Sequence, residues 1–188
     1  QAGLSEMMTA AVPAAPYGAS VAWGIPFQVG KVVLLRDKPI TLKIPKTKAP
    51  WLVFLHTSDM RPVERNADGF IAPMKGRGML GEHAANYYVL YADGSKECLP
   101  IRRRHQIGMF QRPWGENCFE AVGHIKPQPV RPPHEQLRPG WGQAQCRATA
   151  ADHAAWLNWL YAWSNPHPEK AMVGFRFEPV SGIVVISA

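Results

Sequence analysis

Residues 87–101, YYVLYADGSKECLPI in one-letter code, decide the fold class. Two runs of β-forming residues, 87–91 and 97–101, flank the pair Asp93-Gly94. Asp-Gly between two such runs is a strong sequence signal for the tight turn of a β-hairpin. The stretch therefore predicts two antiparallel strands joined by a short turn.

The segments on either side of this hairpin are also strand-like. Apolar and polar residues alternate over 40–45, which predicts a half-buried strand, and the continuous apolar run 51–55 suits a strand buried on both faces. Residues 156–163 fit either a strand or a helix. We count about eight to ten short strands and no βαβ alternation, so we expect an all-β fold, an antiparallel β-sandwich or jelly roll with long Pro/Gly-rich loops.

Proline content supports the same fold class. The 188 residues include 18 prolines, and six of them fall within residues 112–145. Proline breaks helix interiors, so a helical bundle is excluded. We expect residues 1–20 to form an extended lead-in and residues 21–188 to form a single β-jelly-roll domain, in line with a length of roughly one domain.

Charge and cysteine content limit the partners. Lys and Arg number 21 against 14 Asp and Glu, a formal net charge of +7, but the basic residues are dispersed and no nucleic-acid-binding motif is present. We predict no nucleic-acid partner. No run of about 18 apolar residues exists, so we predict no membrane span. The three cysteines include no CxxC pair, and their pairing stays open.

Five motifs in one order resemble a known family. They are WLVFLHT at 51–57, YVLYADG at 88–94, LPI at 99–101, QIG at 106–108 and WSNPHP at 163–168. The set is similar to the galactose-binding-domain-like β-jelly rolls that serve as accessory domains of bacterial polysaccharide-degrading enzymes, and it spans about residues 25–188. The chain departs from that pattern at Met109-Phe110, where the family often has a tryptophan, and its inserts at 58–82 and 112–150 look longer.

The resemblance implies a non-catalytic carbohydrate-binding module. The partner would be a polysaccharide or oligosaccharide, with an acidic glycan suggested by the basic charge, and a fused or neighbouring catalytic domain. The resemblance also implies an extracellular or periplasmic location.

Two loop tryptophans are the first candidate ligand-binding residues. Trp114 and Trp141 lie in the proline-rich tract beside glycines, and a flat indole suits the apolar C–H face of a sugar ring. The alternative is that these side chains plug one end of the sandwich.

Polar residues at two strand ends are the second group of candidates. His56, Asp59 and Arg61 follow the apolar strand at 51–55 and could bind sugar hydroxyls or a carboxylate, or could simply close that strand. Strand alternation would place Arg102 and Arg104 on one face and Arg103 on the other. Together with His105 they could bind a uronate or sulfate, or form a solvated edge strand.

Oxygen-bearing side chains suggest a structural calcium ion as the one metal to consider, with no other cofactor expected. The candidate ligands are Asp59, Asn66, Asp68 and Glu82. No HxH or HExxH spacing points to a transition metal.

Two alternatives to a binding module stay open. A small polysaccharide lyase or glycoside hydrolase acting on an acidic glycan could use His105, Arg103 and Tyr87. A structural spacer or assembly domain would need no ligand.

Overall fold

The computed structural model describes residues 3–62, 65–70, 75–113, 115–125 and 154–188. The helix α1 spans Glu6–Ala11, and a 3₁₀ turn follows at Val12–Ala14. Among the described residues, eleven strands form: β1 (Gly18–Ala22), β2 (Ile25–Val29), β3 (Val33–Leu35), β4 (Ile40–Thr47), β5 (Trp51–Ser58), β6 (His83–Tyr91), β7 (Lys96–Arg102), β8 (Ala121–Gly123), β9 (Trp159–Ser164), β10 (Met172–Pro179) and β11 (Val184–Ile186).

The strand pairing is that of a jelly roll. Strand β3 pairs with β11, β4 with β10, β5 with β9 and β6 with β7, all antiparallel. These nested pairs build a five-stranded sheet, β3-β11-β5-β9-β8, and a four-stranded sheet, β4-β10-β6-β7. One long hairpin of four strand pairs, rolled so that its strands fall into two sheets, gives this order. The predicted all-β sandwich is confirmed, with β8 and the β1–β2 hairpin added to the eight strands of the roll.

The hairpin that decided the fold class forms as predicted. Tyr87 lies opposite Leu99 in the β6–β7 register. At the turn, the backbone N–H of Tyr91 donates to the carbonyl of Ser95 at 3.0 Å, and Gly94 has φ 85°. A positive φ is the conformation that glycine adopts without a steric penalty. Residues 156–163, which fit a helix or a strand, supply most of strand β9.

Aromatic side chains fill the space between the two sheets. Phe54, Tyr87, Trp159 and Phe177 are all at most 5% exposed, and the rings of Phe54 and Tyr87 lie 5.3 Å apart between centroids. Such tilted ring pairs add to the free energy gained by burying apolar area. In β6, buried and half-buried residues alternate from Tyr87 onward, so every second side chain points into this space.

The N-terminal segment is partly helical, where an extended lead-in was expected. The side chain of Ser5 caps α1 by accepting a hydrogen bond from the backbone N–H of Met8 at 3.1 Å. Met8 and Ala11, one face of this short helix, are buried against Phe110 and Trp156. The alanines of this segment tolerate a helix, and the cap and the apolar contacts stabilise it.

The two sheets differ in what lies on their outer faces. The β1–β2 hairpin packs Ala22 and Val29 on Leu55 and Leu160 of the five-stranded sheet, and α1 packs beside it on Val185. On the four-stranded sheet, the outward side chains of the edge strands are exposed, and none of the described elements covers them. Among the described residues, no helix has the length and apolar character needed to cross a membrane.

Candidate functional site

The outer face of the four-stranded sheet, which no described element covers, is the candidate site, and we call it the open face. The strand register defines its outward side chains, which alternate with those that enter the core. They are Thr41 and Lys43 of β4, Asn86, Tyr88 and Leu90 of β6, Lys96, Cys98, Pro100 and Arg102 of β7, and Arg176 and Glu178 of β10.

The register brings an aromatic ring and an arginine side by side. Arg176 lies directly opposite Tyr88 across the β10–β6 pair, and Cys98 lies opposite Tyr88 on the other side. Adjacent strands are about 4.8 Å apart, so directly opposed side chains are within contact distance. In the next row, Gly174 lies between Lys43 and Leu90. A Cβ there would come within 2.4 Å of the carbonyl oxygen of Leu42, so a larger residue would push β10 and β4 apart.

Tyr88 is the centre of the open face. Its ring is half-buried, and the ammonium of Lys96 lies 4.9 Å from the ring centroid, a cation–π contact. Burial, together with contacts to Cys98 and Glu178, raises the pKa of its hydroxyl above the ordinary value. The hydroxyl is therefore protonated at neutral pH, and it can donate a hydrogen bond.

The charges of the open face are mostly positive. Its cations are Lys43, Lys96, Arg102 and Arg176, and its one carboxylate is Glu178. The Nε of Arg176 donates to Oε1 of Glu178 at 2.7 Å, which leaves its terminal nitrogens without a partner among the described residues. A guanidinium with free terminal nitrogens can bind a carboxylate or a sulfate through two parallel hydrogen bonds.

His56 does not lie on a ligand-accessible surface. It is 0% exposed between the two sheets. Its Nδ1 lies 2.8 Å from the hydroxyl of Tyr87, and its Nε2 lies 2.9 Å from the carbonyl oxygen of Gln106. Burial lowers the pKa of His56 to about 4, so the ring is neutral at physiological pH. In this structure both ring nitrogens bind protein groups.

Asp59 and Arg61 belong to a partly buried network of charged and polar residues. Asp59 is 3% exposed and accepts hydrogen bonds from the backbone N–H of Ser5 at 2.7 Å and from its hydroxyl at 2.6 Å. The Nε of Arg61 donates to Glu82 at 3.0 Å.

The same network includes Arg103, which the sequence had placed in a catalytic alternative. Arg103 is 1% exposed and donates to the hydroxyl of Ser58 at 2.7 Å and to the carbonyl of Asp59 at 3.0 Å. Desolvation lowers its pKa to about 10, which still leaves it charged at neutral pH. Two guanidinium groups and two carboxylates thus compensate one another. The charged groups that could recognise an acidic sugar here are already bound by protein groups, Arg61 by Glu82 and Asp59 by Ser5.

The candidate calcium ligands do not all meet in this network. Asp59 and Glu82 are in it, but Asn66 lies on an exposed turn and accepts hydrogen bonds from the backbone N–H groups of Asp68 and Phe70. Among the described residues, no group of three or more His, Cys, Asp or Glu side chains is arranged to hold a metal ion. The calcium site stays a prediction from the sequence.

The basic run at 102–104 divides among three environments. Arg102 ends strand β7 and is exposed on the open face. Arg104 lies beyond the strand with φ 61° and donates to the carbonyl oxygens of Gly115 and Asn117. The expectation that Arg102 and Arg104 share a strand face is therefore wrong, because the strand ends between them. His105 contacts Glu120 at 3.6 Å and the ring of Phe119.

The loop tryptophans and the residues of the catalytic alternative were two further expectations from the sequence. Trp114 and Trp141 lie outside the described residues. The residues of the lyase or hydrolase alternative are not brought to one accessible site, because Tyr87 and Arg103 are buried while His105 is on the surface.

The open face was not among the sites predicted from the sequence. The alternation of β6 could have marked Tyr88 as an outward aromatic residue between the inward Tyr87 and Val89. Its proximity to Arg176, however, depends on the β10–β6 register, which no sequence motif encodes.

The fold defines the chain as an antiparallel jelly-roll domain, and one of its sheet faces is covered by none of the described elements. Comparisons with protein-family models, with curated proteins and with solved structures find no match for this chain. The resemblance to galactose-binding-domain-like modules therefore depends only on the five sequence motifs quoted above.

Proposed function

We propose that this jelly roll is a non-catalytic carbohydrate-binding module that binds an acidic glycan on the open face. One observation carries the proposal: Arg176 lies directly opposite Tyr88 in the β10–β6 register, and the ammonium of Lys96 lies 4.9 Å from the centroid of the Tyr88 ring, on a sheet face that no described element covers. A uronate or a sulfated sugar presents both of the features that such a surface recognises, an apolar ring face and an anionic group.

The chemistry assigns one role to each group. The Tyr88 ring, which is half-exposed, stacks on the C–H face of a sugar. The terminal nitrogens of Arg176, which bind no described residue, pair with the carboxylate or sulfate, and Lys43, Lys96 and Arg102 supply a positive field along the polymer.

The proposal also places the protein beside a partner. A module that binds an acidic polysaccharide without cleaving it serves a catalytic domain, fused or neighbouring, and meets its ligand in an extracellular or periplasmic space. The sequence resemblance supports this part, and the charge of +7 agrees with an anionic polymer as the ligand.

Affinity electrophoresis and isothermal titration calorimetry against a glycan panel test the proposal. The panel contains polygalacturonate, alginate, a sulfated galactan and the neutral polymers cellulose, xylan and mannan. We expect binding to at least one acidic polymer, with an affinity that falls as salt rises, because exposed charges are screened. If the protein is folded but binds none of the acidic polymers, the proposal is contradicted.

A matched pair of tyrosine variants locates the site. Tyr88→Ala should weaken acidic-glycan binding about tenfold or more through loss of the stacking ring. Tyr17→Ala removes a tyrosine that is 82% exposed elsewhere on the surface, and it should bind as the wild type does. Equal affinity of the two variants would place the binding elsewhere.

A further inference from the structure

Glu178 places a carboxylate among the cations of the open face. It follows Arg176 by two residues on β10, so both side chains point outward, and their backbones are about 6.7 Å apart. Its Oε1 accepts the hydrogen bond from Nε of Arg176 at 2.7 Å, and its side chain is 29% exposed. Because like charges repel, this carboxylate opposes the binding of any anion that comes close to it.

The strand register places positive and negative charge on opposite sides of Arg176. The residues directly opposite Arg176 on β4 and β6 are a threonine and a tyrosine, neither of which is charged at neutral pH. Lys43 and Lys96 belong to the row of residues that contains Gly174, which lies on the other side of Arg176 from Glu178. An anion bound to Arg176 therefore has cations on one side and a carboxylate on the other.

Glu178 is also close to the hydroxyl of Tyr88. Burial is the main cause of the raised pKa of that hydroxyl, and contacts with Cys98 and with the Glu178 carboxylate add to it. The same carboxylate thus contacts the arginine that would bind the anionic group and the tyrosine on which the sugar would stack.

We infer that Glu178 is a specificity-determining residue of the open face, which selects sugars with a single anionic group against densely sulfated sugars. The inference rests on the proposed function. One carboxylate of a uronate binds Arg176 on the side of Lys43 and Lys96, away from Glu178. Substituents surround the ring of a sugar stacked on Tyr88, so further anionic groups on that sugar come close to Glu178. Repulsion of this kind is a common means of rejecting a wrong partner.

Calorimetry with two polymers tests the inference on the full chain. The probes are polygalacturonate, in which each sugar carries a single carboxylate, and a highly sulfated dextran, in which most sugars carry more than one sulfate. Glu178→Gln removes the charge and keeps an oxygen that can accept the hydrogen bond from Arg176. We expect its affinity for the sulfated dextran to rise about tenfold and its affinity for polygalacturonate to rise about threefold or less. The difference should shrink as salt rises.

Two control variants separate specificity from structure and from net charge. Glu178→Asp keeps the charge, and the ratio of its two affinities should stay close to that of the wild type. Glu120→Gln removes the same charge from a side chain that is 48% exposed just before β8 of the other sheet, and it should change both affinities by the same factor. A purely structural role for Glu178 would make Glu178→Gln bind both polymers more weakly, which would overturn the inference.

The inference and the proposed function fail separately in this design. If the wild type binds acidic polymers and Glu178→Gln changes both affinities by the same factor, the inference is wrong and the proposed function stands. If the wild type binds neither polymer but Glu178→Gln binds the sulfated dextran, the proposed function is contradicted and the repulsion by Glu178 is supported. If neither protein binds either polymer, both are contradicted.

Discussion

The two outer faces of the sandwich carry different chemistry on the same kind of scaffold. On the five-stranded sheet, the outward residues Leu55 and Leu160 are 1% and 8% exposed under the β1–β2 hairpin. On the four-stranded sheet, the corresponding positions hold Tyr88, Arg176 and polar neighbours, with no described element above them. Outward apolar residues mark a face that the chain covers for itself. An outward aromatic residue among cations, on a face that no described element covers, is the basis of the proposed binding site.

The largest difference in stability should come from the same leucine-to-alanine substitution made once on each outer face. Leu55→Ala removes a buried side chain under the hairpin and should lower the free energy of unfolding by about 2–5 kcal/mol. Leu90→Ala, on the half-buried open face, should cost about 1 kcal/mol or less. Urea denaturation of both variants measures the difference, and equal losses would mean that the open face is covered as well.

Acid should lower the free energy of unfolding through His56, which is buried between the two sheets. His56 is held neutral there with a pKa of about 4, against an ordinary value of 6.5. The unfolded chain binds the extra proton first, so the stabilising contribution is complete above pH 6.5 and is lost as the pH falls toward 4. The loss should total about 3 kcal/mol.

Unfolding free energies between these pH values check this dependence. The slope should flatten in His56→Gln and persist in His105→Gln, whose ring is partly exposed. A wild-type slope in His56→Gln would assign the acid sensitivity to other groups.

The packing of α1 on the five-stranded sheet should depend on Asp59. Asp59→Ala removes the acceptor of both hydrogen bonds from Ser5, which precedes α1, and should cost about 2 kcal/mol because the acceptor is charged and buried. Asp68→Ala removes a carboxylate on an exposed turn and serves as the control. Thermal unfolding measures both. Hydrogen exchange should show faster amides in residues 6–11 of the first variant alone.

The smallest effect on stability should come from the open face itself. Arg176→Gln breaks an ion pair with Glu178 in which the arginine side chain is 47% exposed, and such pairs contribute about 0–1 kcal/mol. We expect an almost unchanged unfolding free energy but a weaker and less salt-dependent affinity for acidic glycans. A large loss of stability would make Arg176 a structural residue.

The sequence predicted the parts of the fold that local patterns encode. The Asp93-Gly94 turn and the apolar strand at 51–55 specify their own backbone, and both appear in the structure. The short helix α1 was missed because its six residues gain stability from a serine cap and from distant partners such as Trp156.

The candidate site could not be predicted in the same way. Tyr88 and Arg176 are far apart in sequence and meet only through the register of β6 and β10. Composition made Arg103 look like a solvated cation, yet the structure buries it against Ser58, Asp59 and Glu82. Whether a charged residue is exposed depends on partners from other segments, and a single sequence does not identify them.

Mapping an acidic oligosaccharide onto the molecule tests the central claim most directly. Amide chemical shifts of the ¹⁵N-labelled protein are followed as an oligogalacturonate, or the acidic glycan that binds best, is titrated in. The account predicts that the shifts concentrate on β4, β6, β7 and β10 around Tyr88 and Arg176. Shifts confined to β1, β2 and α1, or no saturable shift with any acidic glycan, would contradict it.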